Sequence, residues 1–389
     1  MKIIRTSTIP LSLNILLKGQ LAFLSNHFEV IGISSKGQLL DEVSTREGIK
    51  VISVEMERGI SPLKDYKSLM NLYNILKKEK PTIIHSITPK AGLLSMLAGK
   101  MAGVPIRIHT FTGLIFPSKK GLLKALLIKM DQLLCWSATN IYPEGEGVKS
   151  DLFKFNITNK PLKVLANGNV NGIDLSYFSI DKCYQQNLHK LRMNLNILAQ
   201  DFVFVFVGRL VGDKGINELV EAFKSINTSV ISSGSVKLLL VGPLETELDP
   251  LLDVTLKEIQ SNPNIISVGF QKDVRPYFAI SNALVFPSYR EGFPNVVMQA
   301  GAMDLPAIVS DINGCNEIIV EGKNGMIIPV KNARAIKEAM TKFLRDKNYF
   351  SILKQNARKM ISERYEQQVV WDALLKEYKE LIKDKGLEQ

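Results

Sequence analysis

Two short segments in the second half of the chain carry residue types suited to a phosphorylated ligand. The first is FVFVFVGRLVGDKGINELVEAF, residues 202–223. Its apolar run predicts a buried strand ending at Gly208. Arg209 and Lys214 then flank a glycine-bearing loop, and a helix follows from near Ile216. Two cations at a strand's carboxyl end, beside the N–H groups and positive dipole end of a helix, can neutralise a diphosphate. An arginine can also hold phosphate oxygens in a bidentate fork. A surface loop with two ordinary charges would look the same in isolation.

The second segment is ALVFPSYREGFPNVVMQAGAMDLPAIVSD, residues 283–311. Here a strand runs into Pro287 and Ser288, a loop carries Glu291, Gly292, Phe293 and Pro294, and a helix is predicted from about Asn295. Pro294 and Asn295 suit a helix start, which leaves backbone N–H groups for a ligand. Glu291 beside them could hold a sugar hydroxyl. Gln299 lies one turn further along the same helix face. A capped helix with an exposed glutamate is the competing local reading.

In the first half, His85 ends the apolar run PTIIHSI and His109 follows PIRI, so both are expected at carboxyl ends of strands. Lys90 opens the next helical segment. A lone histidine is more often structural than catalytic, but open parallel sheets bind their ligands at this edge. His85 and Lys90 are the candidates for an acceptor side.

The elements that must position these residues are short strands alternating with helical patterns. KIIRTST, EVIGISS, KVISVE, PTIIHSI and PIRIHTF read as strands, and residues 63–79 and 90–102 show helical periodicity. The pattern restarts after residue 200 with DFVFVFVG, VKLLLVG, NIISVG, ALVFPS and PAIVSD. Such alternation implies βαβ units and parallel sheets. The fold class expected is therefore α/β, with two doubly wound domains, 1–175 and 200–365. Polar residues 175–200 form the junction, and a C-terminal helix over 366–389 packs back towards the N-terminal domain. Length agrees, since 389 residues exceed one ordinary core.

Composition narrows the class. Apolar residues make up 46%, which excludes disorder. Cys135, Cys183 and Cys315 are scattered without CxxC, and no DxD or His/Asp cluster occurs, so neither a disulfide framework nor a catalytic metal is expected. No GxGxxG follows the first strand, against a nicotinamide dehydrogenase. Residues 1–180 carry 23 Lys and Arg against 13 Asp and Glu, whereas the remainder carries 26 against 25. The net charge of +11 is thus concentrated in the first half and points to an anionic partner. Aromatics at 7% without a basic–aromatic stretch argue against nucleic acid.

No run of about 18 apolar residues occurs, and Pro10, Ser12, Asn14 and Lys18 interrupt any signal-peptide core, so a cytoplasmic location is expected. Residues 118–134, SKKGLLKALLIKMDQLL, form a basic amphipathic helix. Packing on the sheet is weighed slightly ahead of contact with a membrane interface.

Taken together, GRLVGDKG, LVGP at 240–243, FPSYREGFPNVVMQA and NGCNEIIVEGKNGMIIP at 313–329 resemble the retaining glycosyltransferases of family 4, which have the GT-B fold of two facing Rossmann-like domains. The resemblance covers nearly the whole chain. It implies that Arg209 and Lys214 bind and stabilise the departing donor diphosphate. Glu291 matches the first glutamate of the family's E-x7-E pattern and would contact the transferred sugar, with Gly208 and the backbone at Phe293, Pro294, Asn295 and Val296 lining the donor site. Position 299 departs from the pattern, since glutamine stands where the ribose-binding glutamate is expected. His109 matches the cleft histidine near the reacting bond. The family's first glycine-rich loop is not visible in TSTIPLSLNILLKGQ.

The implied reaction is a metal-independent, retaining transfer of a sugar, expected from a UDP-sugar, to a lipid-linked or glycan acceptor in surface polysaccharide synthesis, of the capsule or O-antigen kind. No cofactor is expected beyond the nucleotide-sugar co-substrate. The competing readings are an epimerase or phosphorylase on the same fold, or a basic nucleic-acid-binding protein.

Overall fold

The structure, a computed structural model, describes residues 1–57, 59–183, 185–226, 234–247 and 249–387. The chain divides into two compact units. One comprises Met1–Gly172 with Gln367–Gln389, the other Ile173–Glu366.

The first unit is built on six parallel strands: β1 (Lys2–Thr6), β2 (Glu29–Ser34), β3 (Lys50–Ser53), β4 (Ile83–Ser86), β5 (Ile106–Phe111) and β6 (Asn140–Pro143). Their order is β3-β2-β1-β4-β5-β6. The second unit repeats this scheme with β7 (Phe202–Val207), β8 (Val236–Val241), β9 (Ile265–Ser267), β10 (Ala283–Phe286), β11 (Ala307–Ser310) and β12 (Gly325–Ile328), ordered β12-β11-β10-β7-β8-β9. Both are doubly wound Rossmann-like sheets whose strand order reverses between the first and fourth strands, and a ligand crevice forms where the order reverses. The central strands are buried on both faces, which is why FVFVFV and VKLLLV read as continuous apolar runs. Two strands were not anticipated, β6 and β12. Each has four residues and closes one edge of its sheet.

One boundary differs from expectation. The junction falls at residues 172–173, and residues 175–200 belong to the second unit. Their helix Gln185–Asn194 is polar, but Leu188 is buried in that unit's core together with Ile173 and Ile197. One buried leucine per short helix leaves almost no periodic signal. The C-terminal helix, Gln367–Asp384, belongs to the first unit; its buried face is Val370, Leu374, Leu375, Tyr378 and Ile382, while Val369 is exposed. Residues 388–389 of the expected tail lie outside the described residues.

The basic helix spans Gly121–Ser137. Leu134 and Cys135 enter the first unit's core, with Leu127 and Ile128 partly buried against it. Leu122, Leu123, Leu126 and Leu133 are exposed. Sheet packing therefore accounts for only one side of this helix. No helix among the described residues is long and apolar enough to cross a membrane.

Candidate functional site

In the second unit the order reverses between β7 and β10, and the two segments singled out above are the loops that leave these strands. They are knitted together. The Tyr289 N–H donates to the Asp213 carbonyl at 2.9 Å. Gly215, at φ +70°, presses against Pro287, where a Cβ would stand 2.2 Å from the carbonyl oxygen. Only glycine allows that approach.

This contact brings Lys214 and Glu291 together as an ion pair, both side chains largely buried. The Ser288 hydroxyl donates to the same Glu291 oxygen at 2.9 Å. Arg209 lies on the more open side, its NH1 donating to Glu245 Oε2 at 2.8 Å. The loop after β8 delivers Glu245, pinned by the Leu210 N–H on the Pro243 carbonyl at 2.8 Å.

The helix after Glu291 is Asn295–Ala302, with Pro294 as its N-cap residue and no capping side chain. Phe293 is a core residue, edge-on to Tyr365 at 5.5 Å between ring centres. Asn295, Val296 and Gln299 are half-buried along the helix. The Gln299 amide makes no side-chain hydrogen bond among the described residues.

Sequence reasoning passed over several neighbours. Tyr289 donates to Glu218 at 2.6 Å, and its ring faces the Lys331 ammonium at 4.8 Å. Arg290 pairs with Asp213 at 3.1 Å. Buried Cys315 is held protonated, first by burial and then by the Glu291 carboxylate, so it offers no nucleophile.

In the first unit, Ser86 and His109 are register partners on β4 and β5, and His109 Nδ1 shares a hydrogen bond of 2.8 Å with the Ser86 hydroxyl. The ring sits edge-on to Phe111 and against Gly92, where a Cβ would come within 2.5 Å of its Cε1. Burial lowers its pKa to about 3, so the imidazole is neutral. A neutral ring can donate or accept a hydrogen bond but brings no charge.

His85 takes a different place. Its Nδ1 lies 2.6 Å from the Tyr378 hydroxyl and its Nε2 2.7 Å from Thr110 Oγ1. Arg5, which can only donate, reaches the same hydroxyl at 3.0 Å. Burial and then the Arg5 charge hold His85 well below its ordinary pKa. The chain therefore runs one way: Arg5 to Tyr378, Tyr378 to His85 Nδ1, His85 Nε2–H to Thr110. Both ring nitrogens are occupied, and the Nδ1 contact with Tyr378 ties His85 to the C-terminal helix. Lys90 is likewise buried, in an ion pair with Asp65 that ties two helix starts together.

Comparison with known proteins agrees with this architecture. Residues 12–143 match the family described as "Glycosyl transferase 4-like", and residues 189–360 match "Glycosyl transferases group 1". The capsular polysaccharide biosynthesis glycosyltransferase CapM of Staphylococcus aureus is 33% identical over 373 residues, 95% of this chain and 94% of that protein. The UDP-Gal:alpha-D-GlcNAc-diphosphoundecaprenol alpha-1,3-galactosyltransferase of Escherichia coli is 30% identical over 78% of this chain and 76% of its own length. Among solved structures, a glycosyltransferase from Rickettsia africae superposes with a TM-score of 0.79 at 19% identity, covering 98% of both chains. Anabaena Alr3699/HepE in complex with UDP superposes at 0.81 and 16% identity, over 98% of this chain and 100% of that one. Two Rossmann-like sheets, the paired loops at a strand-order reversal and these matches along nearly the full length converge on one assignment: the chain is a GT-B glycosyltransferase of the family 4 type.

Proposed function

We propose that this glycosyltransferase moves a hexose from a UDP-sugar, with retention of configuration, onto a lipid-linked diphosphate glycan during surface polysaccharide synthesis. The observation that carries the donor half is the Lys214–Glu291 pair, joined by Ser288, where the second sheet's strand order reverses. The names of the Staphylococcus aureus and Escherichia coli relatives support the acceptor half.

Breaking the bond between the anomeric carbon and the diphosphate builds positive charge on the sugar and negative charge on the leaving group. Lys214, Arg209 and the N-terminus of Asn295–Ala302 supply fixed positive potential for that leaving group, the kind of preorganised electrostatics that lowers such barriers. These groups take the place of a divalent cation in the proposed reaction. Glu291, held by Lys214 and Ser288, is oriented to accept a hydrogen bond from a sugar hydroxyl. The diphosphate oxygen freed on the attacked face takes the acceptor's proton, and the first unit offers His109 as a neutral hydrogen-bonding group. We further propose that the enzyme works peripherally at the inner membrane face, where a lipid-linked acceptor would be met.

A thermal-shift screen in EDTA with UDP, GDP, ADP and their sugars tests the reading. Saturation at 100 times the dissociation constant stabilises by about 2.7 kcal/mol. Stabilisation by uridine nucleotides, lost in Arg209→Ala and Lys214→Ala, is expected. A folded protein indifferent to every nucleotide, or one requiring added metal, would overturn the donor assignment or its metal independence respectively.

A further inference from the structure

A row of polar side chains crosses one face of the first sheet, where apolar residues would be the rule. Arg5 and His85 are register partners on β1 and β4, and Thr110 and Tyr142 are partners on β5 and β6. The His85 ring joins the two pairs by its bond to Thr110. The C-terminal helix covers this row with Val370, Leu374 and Tyr378.

Arg5 is fully buried, and a guanidinium stays charged at any physiological pH. Its Nη1 donates to Gln20 Oε1 at 2.9 Å and to the Tyr378 hydroxyl at 3.0 Å, both neutral acceptors. Its Nε and Nη2 are buried and meet no acceptor. Those two atoms form the edge of the guanidinium that grips an anion through two parallel hydrogen bonds. A charge buried in this way is costly until something answers it.

Beside the guanidinium lies a small cavity of about 20 Å³, lined among others by His85, Thr110, Tyr142 and Glu144. A water needs about 10–15 Å³, so the space suits one small ligand and excludes a sugar ring or a diphosphate. The wall supplies a third donor. His85 Nε2–H donates to Thr110 Oγ1, which leaves the Thr110 hydroxyl hydrogen for the cavity. Tyr142 gives its own proton to Glu377 at 2.6 Å. The Glu144 carboxylate makes no hydrogen bond with Nε or Nη2 of Arg5.

We propose that this cavity binds a small monovalent anion of chloride size, held by the Nε–H and Nη2–H of Arg5 and by the Thr110 hydroxyl. Charge selects an anion over water. Water would satisfy the donors but leave the guanidinium uncompensated, and His85 beside it is neutral. The anion would be clamped between β1, β5 and the helix that closes the sheet, so its occupancy would set how firmly that helix is seated. Every residue of the site belongs to the first unit, so its fate is separate from that of the donor assignment.

The test is thermal unfolding of the full chain in sodium chloride, bromide and gluconate at matched ionic strength, gluconate being too large for the cavity. Chloride and bromide should raise the melting temperature by about 2–5 °C over gluconate, and the rise should saturate. Arg5→Met should abolish the halide-dependent part. Thr110→Val keeps the guanidinium, and should raise the chloride concentration for half the shift by about 3- to 10-fold, the worth of one hydrogen bond. Crystals grown in bromide should show an anomalous peak beside Nε and Nη2 of Arg5. Equal melting in halide and gluconate overturns the proposal. So does a water bridging Arg5 to Glu144 with no anomalous peak, and so does a bromide peak without a saturable shift, which would mean binding at crystal concentration only.

Discussion

Glu245 occupies the guanidinium of Arg209 at 2.8 Å, so the cation assigned to the donor diphosphate already holds a carboxylate. In the proposed site a diphosphate would compete with this internal anion for the guanidinium. Glu245→Gln should therefore tighten UDP binding. The pair is well exposed, and exposed pairs contribute about 0.2–1 kcal/mol, which limits the gain to about fivefold or less. Isothermal titration with UDP checks the sign; weaker binding would show that Glu245 supports the site instead of competing for it.

The Lys214–Glu291 pair predicts separable kinetic losses. Removing a donor aimed at developing charge costs about 100- to 1,000-fold, so Lys214→Ala should lower kcat by that order. Glu291→Gln keeps shape and one acceptor but loses the charge-assisted bonds, worth about 1.5–3 kcal/mol each, and should reduce kcat about 10- to 100-fold. Steady-state rates with saturating donor distinguish these outcomes from a change in KM alone.

Gln299 has an amide with no side-chain hydrogen bond, on a half-buried helix face one turn beyond Asn295. If it binds ribose in place of the expected glutamate, Gln299→Ala should raise the UDP dissociation constant by about 2- to 10-fold, the worth of one neutral hydrogen bond, with kcat nearly unchanged. A fall in kcat at unaltered affinity would place Gln299 elsewhere in the reaction.

Tyr378→Phe removes the hydroxyl that links Arg5 to His85. It leaves a buried guanidinium short of an acceptor and His85 Nδ1 short of a donor. Each unsatisfied buried group costs about 1–3 kcal/mol, so thermal unfolding should show a marked loss of stability. Near-native stability would mean that water replaces the hydroxyl.

His109 links stability to acidity. Its pKa is about 3 in the folded protein, against an ordinary value near 6.5. Between these values the unfolded chain binds a proton that the folded one refuses. Its contribution is therefore complete above about pH 6.5 and is lost as pH falls towards 3, with a slope of up to about 1.4 kcal/mol per unit. Urea unfolding at pH 7, 6 and 5 should show this decline, less steeply in His109→Gln. Equal slopes in the two proteins would rule out His109 as a source.

How much of this could be read from the chain depends on how far each signal travels. Arg209, Lys214 and Glu291 were legible because each sits beside its own strand, loop and helix in one continuous segment. The partner of His85 is Tyr378, 293 residues away, and no local pattern announces that contact. Glu245 reaches Arg209 only through the pairing of β7 with β8, a register that the sequence leaves open. Strands β6 and β12 escaped although β3 and β9, edge strands no longer than these, were read from the sequence. The segment before residue 200 looked like a linker because its helix fully buries one side chain, Leu188, with Leu191 only partly buried against the core.

The first unit is assembled from both ends of the polypeptide, and the two crossings run side by side, the Ile173 N–H donating to the Tyr365 carbonyl at 2.7 Å. Exchanging the first unit between relatives is consequently a two-cut operation. A chimera joined only near residue 172 would inherit a foreign sheet with the wrong closing helix, and Arg5 and His85 would face a tyrosine position chosen for another protein. Grafting residues 1–172 together with 367–387 keeps each sheet with the helix that seals it, which makes recombination at paired sites the workable route to hybrid specificities.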